Sequence, residues 1–372
     1  MKLGIVGNGG IVKTALNVLK DTDIIVSSLW CRNAEKGKPL VEEYGIPSLY
    51  TDYDAFLKND SFDTVYIGLI NSLHYEYAKK AILAHKHVIV EKPFTSTYEQ
   101  AQELYELTRK NNVFVFEAIM SRYSKNYQNI QSVLSRIGEI KLIQCNYSQY
   151  SSRYDAYLRQ EVLPAFDPEQ YGGALYDINV YNVHFIQGVF GKPVFTHYEA
   201  NIGFNGVDTS GTLIMKYPGY IAVCTGAKDS ASHNGIMIQG TKGYISMDSR
   251  PGIIQNLTLH LKDEVINIDV EEMQSPMRNE FEQIASVIEE KDKIILSVYD
   301  NGIGIPSKDI KRVFDKSFTG TNGRDKVKST GMGLYIIKNL CNKLGHNIYI
   351  KSEENKYTNV VIEFGKNKYY KF

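Results

Sequence analysis

The chain reads as an α/β protein: a doubly wound parallel sheet first, an α+β unit on a large open, mostly antiparallel sheet next, and a partial α/β-sandwich fragment last. Three observations predict this. Over residues 1–120 short apolar runs alternate with helical patterns, the order that builds a parallel sheet covered on both faces. After Met120 apolar or alternating runs follow one another across close turns, which suits antiparallel pairing. From Lys293 the charge balance reverses: residues 293–372 carry 15 Lys and Arg against 7 Asp and Glu, while the remainder carries 27 against 35. A length of 372 residues suits two or three domains, and these observations place the boundaries at 1–120, 121–292 and 293–372.

Residues 3–6 form a short apolar run and read as a buried strand. Gly7-Asn8-Gly9-Gly10 turns the chain, and Ala15, Leu16, Val18 and Leu19 mark a helix after it. Residues 24–30 make a second strand, 40–44 and 53–57 short helices, 64–69 a strand, 74–84 a helix and 88–90 a strand. A helix over 99–110 and a strand over 113–116 complete this unit. Beyond it, 140–147, 195–202, 211–216, 221–225 and 235–239 are strand-like. One long helix over 173–190 interrupts them, ended by Gly191 and Pro193, and 277–290 is a further helix. In the third unit 294–299 is a strand, 307–314 and 333–344 are helices, and 348–352 with 360–364 make a hairpin.

The glycine turn has a chemical reading. A dinucleotide pyrophosphate must come close to a helix N-terminus, where unpaired N–H groups and the helix dipole stabilise it. Side chains at Gly7 and Gly9 would block that approach; Gly10 adds room, and Asn8, Ile11 and Val12 complete the turn. Val12 stands where the dinucleotide-binding (Rossmann) fingerprint carries Gly or Ala. After the second strand the chain runs Trp30-Cys31-Arg32-Asn33, with no acidic residue for the ribose 2′-hydroxyl of NAD. The Arg32 guanidinium can pair with the 2′-phosphate of NADP, which favours NADP(H), or stand free in solvent; both readings stay open.

Three further motifs follow: Asn71-Ser72-Leu73-His74, the triplet Glu91-Lys92-Pro93 after a buried strand, and Gly172 to His184. In the last, Asp177 and Tyr181 are four apart and share one helix face, and His184 lies nearly on it. With these motifs, residues 1 to about 290 resemble the Gfo/Idh/MocA-type NAD(P)-dependent oxidoreductases, a family that includes inositol, sugar and dihydrodiol dehydrogenases. The resemblance implies hydride transfer between NAD(P)(H), with NADP(H) favoured, and a polyol, sugar or cyclic diol or ketone. It implies that Lys92 sits beside the reacting substrate oxygen and stabilises its negative charge. Tyr181 is then the acid/base group with Lys92 as its helper, and Asp177 orients substrate or lysine. Asn71 and His74 would line the nicotinamide side, and Glu91 and Pro93 would shape the turn, at a bond often cis in the family. Ile70 stands where the family commonly carries proline, which alters that loop. His184 can be catalytic or structural. Glu117 and Arg122 can line the cleft or form a hinge salt bridge. Relatives often pair through the open sheet, which points to a homodimer.

Residues 293–364 resemble the catalytic ATP-binding domain of sensor histidine kinases. Asp300-Asn301-Gly302-Ile303-Gly304-Ile305 is similar to its first glycine box, 314–318 to its phenylalanine box, and Ser329-Thr330-Gly331-Met332-Gly333-Leu334 to its second. The complete domain begins with a strand and a helix that carry an asparagine for magnesium. Residues 277–290 fit the dehydrogenase pattern instead, so ATP and magnesium binding is doubtful and phosphoryl transfer is expected to be lost. Two alternatives to the redox reading follow: an ATP-binding sensor-kinase-like protein, and a gene-fusion chimera without function.

The remaining signals narrow the setting. A net charge of +0 gives no sign of nucleic acid or an anionic membrane as partner. Cys31, Cys145, Cys224 and Cys341 are far apart, which argues against a zinc site or disulfide framework and fits the cytoplasm. No apolar stretch is long enough to span a bilayer, the first residues form a strand and no signal peptide, and no cluster has metal-ligand spacing. The expected partner is a small-molecule substrate.

Overall fold

Residues 1–270, 275–290, 294–320 and 330–364 are described in the computed structural model. Lys293, the expected start of the third unit, and Ser329 of the second glycine box lie outside the described residues. The chain divides into two units, Met1–Ile288 and Glu289–Phe372.

The first unit opens with six parallel strands: β1 (Lys2–Val6), β2 (Ile25–Trp30), β3 (Ser48–Tyr50), β4 (Thr64–Ile67), β5 (His87–Glu91) and β6 (Val115–Ala118). Their order in the sheet is β3-β2-β1-β4-β5-β6, so the chain reverses its direction of growth between β1 and β4. Ligands of open α/β sheets bind at such a switch point, beyond the carboxyl ends of the strands. Side chains alternate across the sheet. Leu3, Ile5, Leu29, Tyr66 and Ile89 build one core, and Val65, Ile67, Val88 and Val90 the other. The connecting helices are α1 (Gly10–Leu19), α2 (Ala34–Tyr44), α3 (Tyr53–Leu57), α4 (His74–Leu83) and α5 (Tyr98–Asn111). The second helix starts earlier than the sequence predicts. Asn33 caps it, its side chain accepting from Glu35 N at 2.9 Å, and Pro39 inside it hides the pattern.

An eight-stranded sheet follows: β7 (Ile140–Ser148), β8 (Phe195–Ile202), β9 (Asp208–Tyr217), β10 (Tyr220–Ala227), β11 (Gly235–Gly240), β12 (Gly243–Met247), β13 (Leu257–Leu261) and β14 (Val265–Asn267). The β7–β10 pair is parallel and the other pairs are antiparallel. The helices α6 (Lys125–Val133) and α8 (Val180–Phe190) cover its apolar face, where Ile143, Cys145, Cys224 and Ile238 meet Ile130, Phe185 and Ile186. A short helix, α7 (Tyr154–Leu158), lies in the long loop after β7. The helix α9 (Pro276–Glu290) returns to the parallel sheet and packs Met277, Phe281, Ile284 and Ala285 into the same core as Leu3 and Ile5.

The expected single helix over 173–190 is two pieces. A π-type turn over Leu175–Asn179 precedes α8. Asn179 Nδ2 donates to Cys224 O at 3.0 Å, and Asn182 Nδ2 to Thr225 O at 2.9 Å, which pins the turn to β10. The approach is so close that a Cβ at Gly226 would lie 2.8 Å from Asn179 Cβ. These buried amides satisfy the carbonyls at the sheet and select the wider turn over a regular helix.

The second unit holds β15 (Ile294–Asp300), β16 (Asn347–Glu353) and β17 (Tyr357–Phe364) in the order β15-β17-β16, with α10 (Ser307–Ile310) and α11 (Gly333–Leu344). The hairpin β16–β17 stands as expected. The helix expected over 307–314 stops at Ile310, and the chain continues in tight turns through Asp309 O and Arg312 O.

Candidate active site

The glycine turn joins β1 to α1 at the switch point. Gly7 has φ +115°, and a Cβ there would lie 2.5 Å from Gly68 O, so only glycine fits. A Cβ at Gly9 or Gly10 would meet nothing within 4 Å, and no side chain caps the first N–H groups of α1. The helix N-terminus therefore opens on free space with its donors available, which fits a pyrophosphate. Val12 at the third fingerprint position is buried, and its Cγ2 would lie 2.7 Å from a Cβ at Gly68. The missing side chain at Gly68 makes room for valine where the fingerprint has a smaller residue. Asn8 and Ile11 sit on this turn, half-buried.

Lys92 and Pro93 follow the end of β5 and are joined by a cis bond. Three groups hold this turn from behind. Glu91 is buried and accepts from Tyr66 Oη at 2.7 Å and from Lys92 N at 3.2 Å. Glu117 accepts from Phe94 N at 2.9 Å. The ring of His74 is fully buried, with Nδ1 2.8 Å from Pro93 O and Nε2 3.1 Å from Leu69 O. Burial pushes the Glu91 carboxyl up and the His74 imidazole down. Both residues support the lysine turn from beneath, where the family pattern suggests that His74 faces the cofactor.

Lys92 Nζ donates to Asp177 O at 2.6 Å and Asp177 Oδ1 at 2.8 Å, and lies 5.1 Å from the centre of the Tyr181 ring. Burial works against the charge on Lys92, but Tyr181 and Asp177 outweigh it and hold its pKa above that of an ordinary lysine. Burial would raise the Asp177 carboxyl; the two ammonium groups beside it, Lys92 and Lys228, outweigh that and hold it well below the usual carboxylate range. The Tyr181 phenol is pushed up to about 12 by burial, with Lys92 opposing and Glu91, Tyr147 and Asp177 adding. The π-type turn presents both the carboxylate and the backbone carbonyl of Asp177 to one ammonium.

The other expected residues are placed as follows. Asn71 Nδ2 donates to Tyr171 O at 2.8 Å, so its amide joins the loop after β4 to the loop before the π-type turn. Cys31 is buried with Sγ 3.1 Å from Asn33 O, packed where a Cβ at Gly37 would clash; its side chain serves the core. Arg32 is exposed at the end of β2, its charge acting on the Tyr77 phenol. Glu117 Oε2 lies 3.0 Å from His184 Nε2, so the partner of Glu117 is His184, while the Arg122 guanidinium lies 6.0 Å from the centre of the Tyr127 ring. Sequence reasoning missed Lys228, whose Nζ lies 2.9 Å from Asp177 Oδ2. Its only signal was a lysine directly after the apolar β10. It also missed Tyr66 and Glu280, which no motif marks. Among the described residues no group of three or more His, Cys, Asp or Glu can hold a metal ion, and no helix is long and apolar enough to cross a membrane.

Residues 1–119 match the family model of the Gfo/Idh/MocA oxidoreductases with an NAD-binding Rossmann fold, and residues 127–246 match the Gfo/Idh/MocA C-terminal domain. A scyllo-inositol 2-dehydrogenase (NADP(+)) of Bacillus subtilis is 31% identical over 294 residues, covering 78% of this chain and 89% of the relative. The chain belongs to the Gfo/Idh/MocA family. It is an NAD(P)-dependent oxidoreductase with a dinucleotide-binding Rossmann domain. A trans-1,2-dihydrobenzene-1,2-diol dehydrogenase of Xenopus tropicalis is 32% identical over 63% of this chain and 70% of the relative. The fold is shared with a 3-ketoreductase from Actinomadura kijaniata solved in complex with TDP-benzene and NADP (TM-score 0.67, 22% identity, covering 78% of this chain and 90% of that one). Residues 277–368 match the model for histidine kinase-, DNA gyrase B- and HSP90-like ATPases. That match takes in α9, whose apolar side is part of the Rossmann-side core.

Proposed function

We propose that the chain transfers a hydride between NADP(H) and a hydroxyl-bearing carbon of a polyol, sugar or cyclic diol, or the corresponding ketone. The convergence of Lys92, Asp177 and Tyr181 past the carboxyl end of β5, the same edge of the parallel sheet from which the glycine turn leaves β1, carries the reading. A bound nicotinamide supplies or accepts the hydride. The protein groups handle the proton and the geometry. Lys92 hydrogen-bonds the substrate oxygen and stabilises the charge that develops on it. Tyr181 gives its proton to that oxygen during reduction and takes it back during oxidation. Asp177, ionised, orients Lys92. The open N-terminus of α1 at Gly9 and Gly10 holds the pyrophosphate, and Arg32 pairs with the 2′-phosphate. The names of the relatives support this choice: the Bacillus subtilis enzyme is specified for NADP(+), and the substrates named are an inositol and a dihydrodiol.

A homodimer through the open face of the eight-stranded sheet and a cytoplasmic setting complete the proposal. The second is supported by four free cysteines, all buried. The ATP-binding alternative has less behind it. Asp300 Oδ1 accepts from Gly302 N of its own loop at 2.9 Å, and α9 at the start of the ATPase match is built into the other unit's core.

The test is NADPH binding, followed by fluorescence, together with oxidation of scyllo-inositol and a trans-dihydrodiol. Lys92→Ala should bind NADPH as the wild type does and lose about 10²- to 10⁴-fold in kcat. A wild-type chain that binds no NADPH at millimolar concentration refutes the proposal.

A further inference from the structure

Asp177 is held from two sides. Its Oδ1 accepts from Lys92 at 2.8 Å, and its Oδ2 lies 2.9 Å from Lys228 Nζ. Lys228 is 1% exposed. Its ammonium also donates to Ala165 O and lies 4.3 Å from the centre of the Phe166 ring, so all its directions are filled by protein. A fully buried lysine is costly unless paired and hydrogen-bonded. Here it ties the carboxylate to the segment around Phe166, an aromatic cluster of Tyr154, Tyr157 and Phe166. The main chain of Lys228 is fixed independently of its side chain: N donates to Thr209 O, and O accepts from Ser151 N, each at 2.9 Å.

We propose that Lys228 is a positioning residue of the redox site: from the far side of Asp177 it fixes the carboxylate so that Oδ1 and the backbone carbonyl engage Lys92, leaving Lys92 one N–H for the substrate oxygen. This rests on the redox reading of Lys92. Without Lys228 the carboxylate is free to rotate, and Lys92 can follow it away from the reacting carbon. The charged and titratable groups around the pair are Lys92, Asp177 and Asp208 at Lys228, with Glu91, Tyr147 and Tyr181 beyond. Removing one cation from this set disfavours the ionised phenol of Tyr181 and the ionised carboxyl of Asp177.

The test compares Lys228→Met with Lys228→Arg in the full chain. For NADP+-dependent oxidation of scyllo-inositol, Lys228→Met should lower kcat by about 10²-fold, the loss expected when a reacting group is misplaced by an ångström. Its Kd for NADPH should stay within about threefold of the wild type, and the rising limb of the pH–rate profile should move up by about one unit. Lys228→Arg should restore the position of the limb, which a purely structural role would not require. A kcat within about twofold of the wild type, or equal losses in both variants with an unmoved limb, overturns the assignment. Carboxyl NMR of Asp177 needs no substrate: its titration should move up by at least about one unit in Lys228→Met and return in Lys228→Arg. An unmoved Asp177 titration overturns the positioning role even where NADPH binds normally, whereas failure of NADPH binding alone counts against the redox reading. Should Lys228→Met not fold, the double variant Asp177→Asn/Lys228→Met, which keeps the net charge of the Lys92, Asp177 and Lys228 set, is measured against Asp177→Asn. A further loss beyond about threefold there shows that Lys228 acts apart from Asp177 and overturns the proposal.

Discussion

At Tyr181 the proton transfer proposed above depends on the environment of one phenol. Burial lifts its pKa to about 12, and the ammonium of Lys92, which would pull it down, is partly spent on Asp177. The phenol is therefore protonated at neutral pH, the form that the proposed reduction requires. Deprotonation favours oxidation, so the sign is set: oxidation should speed up as pH rises from about 7 to 10, while reduction should stay flat until the phenol begins to ionise. Tyr181→Phe should lower kcat in both directions by about 10²- to 10⁴-fold and remove the rising limb of oxidation. Steady-state rates across that range check both statements; a Phe variant that keeps the limb refutes the role. Around this residue the sequence was partly legible. Lys92, Asp177 and Tyr181 are marked by a triplet and a helical spacing, and the fold brings them into contact. His74 shows the limit: the same motif places it at the cofactor, yet its ring is buried between two backbone carbonyls.

At the scale of elements, α9 carries a group that its amphipathic pattern conceals. Glu280 lies on the apolar side of the helix, 2% exposed, and its Oε1 has no hydrogen-bond partner among the described residues. Burial pushes its carboxyl well above the usual range, with the charges of Glu91 and Glu117 adding to it. Between the unfolded pKa near ~4.3 and the higher folded value, the folded state binds one proton more than the unfolded state. Stability contributed by this group is thus present at low pH and lost as pH rises through the folded pKa. Glu280→Gln, which cannot ionise, should raise Tm, and by more at pH 8 than at pH 5; thermal melts at the two values decide, and an equal effect at both removes the buried proton from the account. The π-type turn before α8 belongs to the same scale. Its wider register depends on Asn179 and Asn182 reaching β10, contacts that a helix pattern read in sequence does not contain.

For the whole molecule, the open face of the eight-stranded sheet is a broad feature not explained by the redox site. Gln144, Thr212, Thr225, Ser246, Thr258 and His260 line a broad basin on it of about 1410 Å³. These residues alternate with the core positions on β7, β9, β10, β12 and β13, so a second copy can lay its own strands against them. Sedimentation should give about twice 42.2 kDa, and Thr225→Lys with Ser246→Lys should return the mass to a single chain, since four buried ammonium groups would oppose the pairing. A wild-type chain that sediments as a monomer at micromolar concentration removes the dimer.

By itself the sequence determined most of the strand–helix alternation of the parallel sheet, the glycine turn and the lysine-bearing triplet, because these are local: a strand, a turn and a helix start are written in adjacent residues, whereas the short strands β3, β12, β13 and β14 and the helix α6 were not read. It also marked two lineages in one chain through motifs and charge. Only the tertiary structure decided that Gly68 accommodates Val12, that His74 and Glu91 stand beneath the lysine turn, and that Lys228 faces Asp177. Most of those relations join residues distant in the chain, and their energies come from burial and from charges brought within 3 Å, which no spacing along the chain encodes.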